Sequence, residues 1–235
     1  MAACKRCGRE LPSFSFGEMP NVCSDCERQV LTSRRVEASF PVTTTIVVIN
    51  VLVFVAMMLS GASLSGGTAV QLIRWGANYG PLTLAGEWWR LLTSTFVHIG
   101  IVHLGINMWC LWNLGRLAEL HLGRVQFALV YIASGVFASL ASLLWHPQIL
   151  SAGASGAVFG IAGALISALR LGAVSLGRDE IKQQLNSLLP FCVYNLIIGA
   201  VVPGIDNAAH IGGLIAGLVL GAFLAMLSRQ RQQGR

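Results

Sequence analysis

The chain has 235 residues, of which 54% are hydrophobic and only 11% charged, with a formal net charge of +6. A soluble domain carries about a quarter charged residues, so this composition excludes an ordinary water-facing surface and makes the lipid bilayer the expected solvent. The positive balance has no basic-aromatic face to accompany it, so no nucleic-acid partner is expected.

The chain opens on "CKRC" at Cys4–Cys7, followed by "CSDC" at Cys23–Cys26. This C-x₂-C…C-x₂-C spacing lets two sulfurs of each turn reach one tetrahedral ion. Two disulfides or idle thiols are the alternative. The topology argued below places the segment in reducing cytosol, where disulfides rarely persist. Cys4, Cys7, Cys23 and Cys26 are therefore expected to hold a structural zinc ion. The module is expected over 1–30, a charged linker over 31–41, a membrane domain over 42–229 and a basic cytoplasmic tail over 230–235. No cleavable signal peptide is expected, because the first apolar run begins some 40 residues in and is long enough to span.

Charge-free runs locate the spans, each needing about 20 apolar residues. The longest, Val125–Leu169, is broken by "HPQ" at His146–Gln148 and holds two. The spacing predicts six helices over 42–61, 97–117, 125–145, 151–170, 186–203 and 207–228. An even number puts both termini on one side. That side receives every Lys and Arg except Arg74 and Arg90, so both termini are expected in the cytoplasm.

Polar side chains in lipid are costly and usually face a partner or a cavity. Here they are His98, His103 and Asn107 on the second expected helix, Ser155 on the fourth and His210 on the sixth. All lie in the early turns of helices entering from the outer face, so they share one depth. No acid or lysine sits mid-span, which speaks against an ion-coupled transporter. Gly156, Gly160 and Gly163 form a smooth stripe, as do Gly213, Gly217 and Gly221, and such stripes let backbones approach closely. If the stripes face each other, Ser155 and His210 meet at the outer end.

Two readings of these groups stand. Ser155 in "GASG" is either a packing residue or a nucleophile whose proton passes to the His210 imidazole. His103 and Asn107 are either interhelical hydrogen-bond partners or, with the Ser155 amide at a helix N-terminus, donors to an oxyanion. His98 reads as an interfacial residue. Asp206 and Asn207 read as caps of the last helix, which leaves a Ser–His dyad without a third acid. A non-catalytic client-binding or escort protein and a zinc-regulated channel are the competing functional classes.

The motifs resemble the rhomboid family of intramembrane serine proteases. They are "WGANYGPLTLAGEWWRLLTSTFVH" with Trp89 and Arg90, "HLGIN" at His103–Asn107, "GRLAELHLG" with Glu119, "GASGAVFG" around Ser155 and "AHIGGLIAG" around His210. The resemblance implies an all-α, six-transmembrane-helix bundle with a water-filled cavity open to the outer side. To this chain is added a small N-terminal zinc-binding module outside the family pattern. The resemblance further implies Ser155 as nucleophile, His210 as general base, and His103, Asn107 and the Ser155 amide as oxyanion hole, with no cofactor for catalysis. Trp88, Trp89 and Arg90 would belong to a structural loop lying partly in the outer leaflet. The implied substrates are membrane-anchored proteins cut in or near a transmembrane segment, and a bacterial inner membrane is the expected location. Phe159 stands where some members carry tyrosine.

Overall fold

The computed structural model describes residues 3–5, 7–10, 22–26, 39–174 and 176–233. The chain divides into two units, Met1–Phe40 and Pro41–Arg235. Most of the expected linker over 31–41 lies outside the described residues.

In the first unit, the described residues gather around the cysteines. Ala3 and Glu10 form an isolated antiparallel bridge. The Gly8 amide donates to the Cys4 carbonyl at 2.9 Å and the Cys4 amide to the Arg9 carbonyl at 2.9 Å. Gly8 has φ +74°, a conformation that glycine adopts without a Cβ penalty. An exposed ion pair joins Arg9 to Asp25.

The second unit is all-helical among its described residues, and the protein is an integral membrane protein. Its long helices are α1 (Pro41–Leu59), α5 (Ile101–Leu122), α6 (Arg124–Trp145), α7 (Ser155–Arg170), α8 (Arg178–Val201) and α9 (Asn207–Gln233). Short helices α2 (Ala69–Arg74), α3 (Gly80–Leu84) and α4 (Arg90–Thr93) fill the connection from α1 to α5, and a 3₁₀ turn, Ser94–Phe96, follows α4. By length and composition α1, α6, α8 and α9 can each cross a bilayer. α5 passes the same test together with Arg90–Phe96, from which it is bent by 94°.

Several boundaries differ from the sequence expectation, each for a local reason. The second span begins at Ile101 rather than 97, because Gly100 is extended and the Ile101 amide is taken by the Leu64 carbonyl at 2.9 Å, with no room for a Cβ on Gly100 beside the Ser65 carbonyl. The fourth begins at Ser155 rather than 151, because Ser151 exchanges two 2.9 Å backbone bonds with Asn78. The fifth begins at Arg178 rather than 186. There the Glu180 carboxylate accepts the Gly177 amide at 2.9 Å, and the polar first turns carry the helix past its apolar segment. The last helix runs on to Gln233, through most of the expected tail.

α7 is the centre of the bundle. All its residues from Gly156 to Leu169 are buried, and it packs on α5, α6, α8 and α9. The two glycine stripes do face each other. A Cβ on Gly213 or Gly217 would overlap the carbonyl of Gly156 or Gly160, and one on Gly221 would overlap Ala164. On the opposite side of α9, Ile211, Ile215, Val219 and Phe223 recur every fourth residue and stay exposed, as a lipid-facing stripe should.

At one end of the bundle the buried Glu119 carboxylate accepts the amides of Val42 (3.1 Å) and Thr43 (2.8 Å) and the Thr43 hydroxyl (2.7 Å). It thereby satisfies the orphan donors of the α1 N-terminus. At the other end, the loop after α1 meets the start of α5, with the Ile101 amide donating to Leu64 and the Gly67 amide to Ile99. The starts of α7 and α9 lie at this second end.

Candidate active site

Ser155 is the first residue of α7 and His210 lies in the first turns of α9. The glycine contacts bring these two helices together so closely that Ser155 Oγ and His210 Nε2 are 2.9 Å apart. His210 Nδ1 is buried and has no hydrogen-bond partner among the described residues. Asp206, one turn earlier, caps α9: its Oδ1 accepts the Ala209 amide at 3.0 Å. Asn207, expected to share that role, instead donates its side-chain amide to the Leu196 carbonyl of α8 at 3.0 Å.

Phe159 lies one turn along α7 from Ser155 and stacks on the His210 ring. The centroids are 4.4 Å apart and the planes 17° from parallel. Phe191 of α8 is the next ring outward, 5.8 Å from Phe159. Phe191 also walls a cavity of about 580 Å³ between α5 and α8, lined further by Trp109, Leu114, Leu117, Gln184 and Leu188. The cavity is therefore two rings away from the imidazole rather than at it. α8 is loosely held, with only Leu188 and Cys192 buried.

On the α5 side, the His103 ring lies against Gly153. A Cβ there would sit 2.6 Å from its Cε1 and 2.9 Å from its Nε2. Asn107 is buried, and its Nδ2 donates to the His103 carbonyl at 2.9 Å. An amide nitrogen carries two hydrogens, so one donor remains. Ser155 begins a helix, where backbone amides have no intrahelical acceptor and the dipole is positive. Ser155, His210, His103 and Asn107 thus gather at one end of α7.

Three holders of this region were not legible as such in the sequence. His98 is fully buried rather than interfacial. Its Nε2 accepts the Ala154 amide at 3.4 Å and its Nδ1 lies 3.3 Å from the Phe96 carbonyl. The Gly153 amide donates to the Ser94 carbonyl at 2.9 Å. Asn78 donates to the Ser139 carbonyl and accepts the Thr83 hydroxyl, both at 2.8 Å. Arg90 braces the same loop segment: its buried guanidinium donates to the carbonyls of Ile73 (2.6 Å) and Ala77 (3.1 Å) and pairs with Glu87. The loop before Ser155 is consequently pinned to the connection between α1 and α5 at several points.

α7 has 16 residues, or about 24 Å of helix, against about 33 Å for the 22-residue α6. A hydrocarbon core is about 30 Å thick. α7 is therefore too short to cross that core by itself, and Ser155 is its first residue.

The four cysteines of the first unit form a separate candidate metal centre. Their sulfurs lie within 4.8 Å of one another, and none of the four is in a disulfide. Cys7 and Cys23 sulfurs are 3.7 Å apart. Zinc–sulfur bonds of about 2.3 Å place tetrahedral sulfurs about 3.8 Å apart, so the set fits such an ion. The Cys23 amide donates to Cys4 Sγ at 3.3 Å, which orients that sulfur.

Residues 85–227 match the rhomboid domain family. The chain is similar to "Rhomboid protease GluP" of Bacillus subtilis (strain 168), with 38% identity over 77% of this chain and 34% of that protein. It is similar to "RHOMBOID-like protein 6, mitochondrial" of Arabidopsis thaliana, with 39% identity over 60% of this chain and 45% of that protein. It is also similar to "Rhomboid protease AarA" of Providencia stuartii, with 32% identity over 76% of this chain and 70% of that protein. The chain spans about a third to a half of the length of the first two.

Proposed function

The chain belongs to the rhomboid family, and from that premise we propose that it is an intramembrane serine endopeptidase acting on membrane-anchored proteins. The observation that carries this reading is the 2.9 Å contact of Ser155 Oγ with His210 Nε2. Two helices hold it together.

In this reading His210 Nε2 takes the Ser155 proton as Oγ attacks the scissile carbonyl carbon. The tetrahedral oxyanion is met by the Ser155 amide, the second hydrogen of Asn107 Nδ2 and the His103 ring. One such donor is worth about 10²–10³ in rate. The imidazolium then gives its proton to the departing amine. Water, deprotonated by the same imidazole, cleaves the acyl-enzyme and regenerates the Ser155 hydroxyl. Asn107 is half committed to His103, which fixes its direction without consuming its donor capacity. The loosely held α8 and the cavity beside it support sideways entry of a substrate helix between α5 and α8.

The reading extends to topology and metal. The excess of Lys and Arg on one side supports cytoplasmic termini, with the serine near the outer face of what we take to be a bacterial inner membrane. Cys4, Cys7, Cys23 and Cys26 hold a zinc ion whose closed thiolate shell serves folding, not hydrolysis.

The test is cleavage of a model transmembrane substrate by purified protein together with fluorophosphonate labelling. Wild type is expected to cleave and to be labelled, and folded Ser155→Ala to do neither. Cleavage surviving in Ser155→Ala overturns the proposal. A folded wild type that neither labels nor cleaves points instead to a client-binding protein on this scaffold.

A further inference from the structure

The cap of α9 holds a feature that a two-residue mechanism does not use. Asp206 spends only one oxygen on the cap: Oδ1 takes the Ala209 amide, while Oδ2 is buried and has no partner among the described residues. One turn on, His210 Nδ1 is likewise buried and unpartnered. With Nε2 facing the Ser155 hydroxyl, Nδ1 carries the hydrogen of the neutral base and must donate it somewhere. No ion pair joins the two side chains directly, yet they stand one helical turn apart, the His210 amide donating to the Asp206 carbonyl at 3.1 Å. Buried polar atoms left over in such pairs are the usual seats of bridging water.

We infer that Asp206 is a positioning residue for His210, its free Oδ2 receiving the Nδ1–H through one bridging water so that the carboxylate steers the ring and stabilises the imidazolium. The inference rests on the proposed Ser155–His210 chemistry. The other groups facing the imidazole are the Ser155 hydroxyl, the Phe159 ring and His103, none of which carries a negative charge. Asp206 is therefore the local anion available to balance the positive ring that forms as Ser155 attacks. Sequence spacing favoured the cap for Asp206; the two oxygens divide between cap and base.

Asp206→Asn separates the two roles, because asparagine caps a helix as well as aspartate does but carries no charge. A charge that raises the imidazolium's stability by one pKa unit supports the transition state about tenfold. The variant is expected to keep its melting temperature, to lose about tenfold in kcat with KM little changed, and to show the acid limb of its kcat/KM profile about one unit lower in pH. The lower limb follows because the base, without its anion, holds a proton less tightly. Lost stability alone would lower activity without moving the limb. An unchanged limb and kcat in Asp206→Asn, with Ser155→Ala inactive in parallel, overturns this inference and leaves the dyad standing. Activity in Ser155→Ala instead removes the underlying reading.

Discussion

The Phe159 ring lies nearly flat on the His210 imidazole, 4.4 Å between centroids. The stacking is one of the contacts that set the plane of the base. Because Phe159 and Ser155 are one turn apart on the same helix, the ring and the hydroxyl clamp the imidazole from two sides. Phe159→Leu keeps the bulk and loses the stack, worth about 1 kcal/mol. Peptide cleavage is expected to slow about fivefold at unchanged melting temperature. An unaltered rate would show that the imidazole plane is set elsewhere.

Gly153 tests the other side of the serine. Its φ is +126°, and a Cβ would run into the His103 ring. Gly153→Ala must therefore twist the turn that delivers Ser155, push His103 away, or both. The left-handed backbone alone costs an alanine about 1–2 kcal/mol. The expected outcome is a loss of at least about a hundredfold in cleavage with helix content by circular dichroism retained. Near-normal cleavage would mean that His103 has room to move without consequence.

The glycine contact between α7 and α9 is the mechanical support for the pair. A side chain at Gly217 would overlap the Gly160 carbonyl, so Gly217→Val must separate the helices. Overpacking of this kind costs about 1–3 kcal/mol. The melting temperature in detergent and the activity are expected to fall together. Ile215→Val, on the exposed face of the same helix, serves as the control and is expected to leave both unchanged. Equal behaviour of the two variants would refute close helix contact as the support.

Much of this architecture was legible because lipid removes ambiguity. Polar groups are rare there, and the few present, Ser155, His210, His103 and Asn107, stood out against the apolar runs. The stripes of Gly156, Gly160, Gly213 and Gly217 encoded which helices touch. What the runs concealed was backbone bending. Leu91–Gly115 reads as one charge-free stretch, yet it contains a 94° turn at Val97–Gly100, because composition is blind to a hydrogen bond between distant loops. The burial of His98 and the unpartnered second oxygen of Asp206 were hidden for the same reason. Both depend on which atoms of a side chain find partners, and residue spacing carries no such information.

Zinc at the N-terminal module is the last expectation that can be tested cleanly. Without a cation, the four thiols crowd one another. Hydrogen bonds from Cys7 and then Cys23 push the Cys26 thiol up to about 12, with burial and Cys4 adding to the effect. The Cys26 thiol therefore holds its proton at neutral pH, and a bound zinc ion must displace it. Protein purified without chelator is expected to contain one zinc per chain by metal analysis, and Cys4→Ser with Cys7→Ser to contain none. Protons compete for the sulfurs, so zinc is expected to be retained at pH 7–8 and lost progressively as the pH falls. Chelation is expected to open the first 30 residues to limited proteolysis while cleavage of a membrane substrate in detergent stays within about twofold, since the closed thiolate shell takes no part in hydrolysis. Abolished cleavage after zinc removal, restored by adding the metal back, would instead make the module part of the working enzyme.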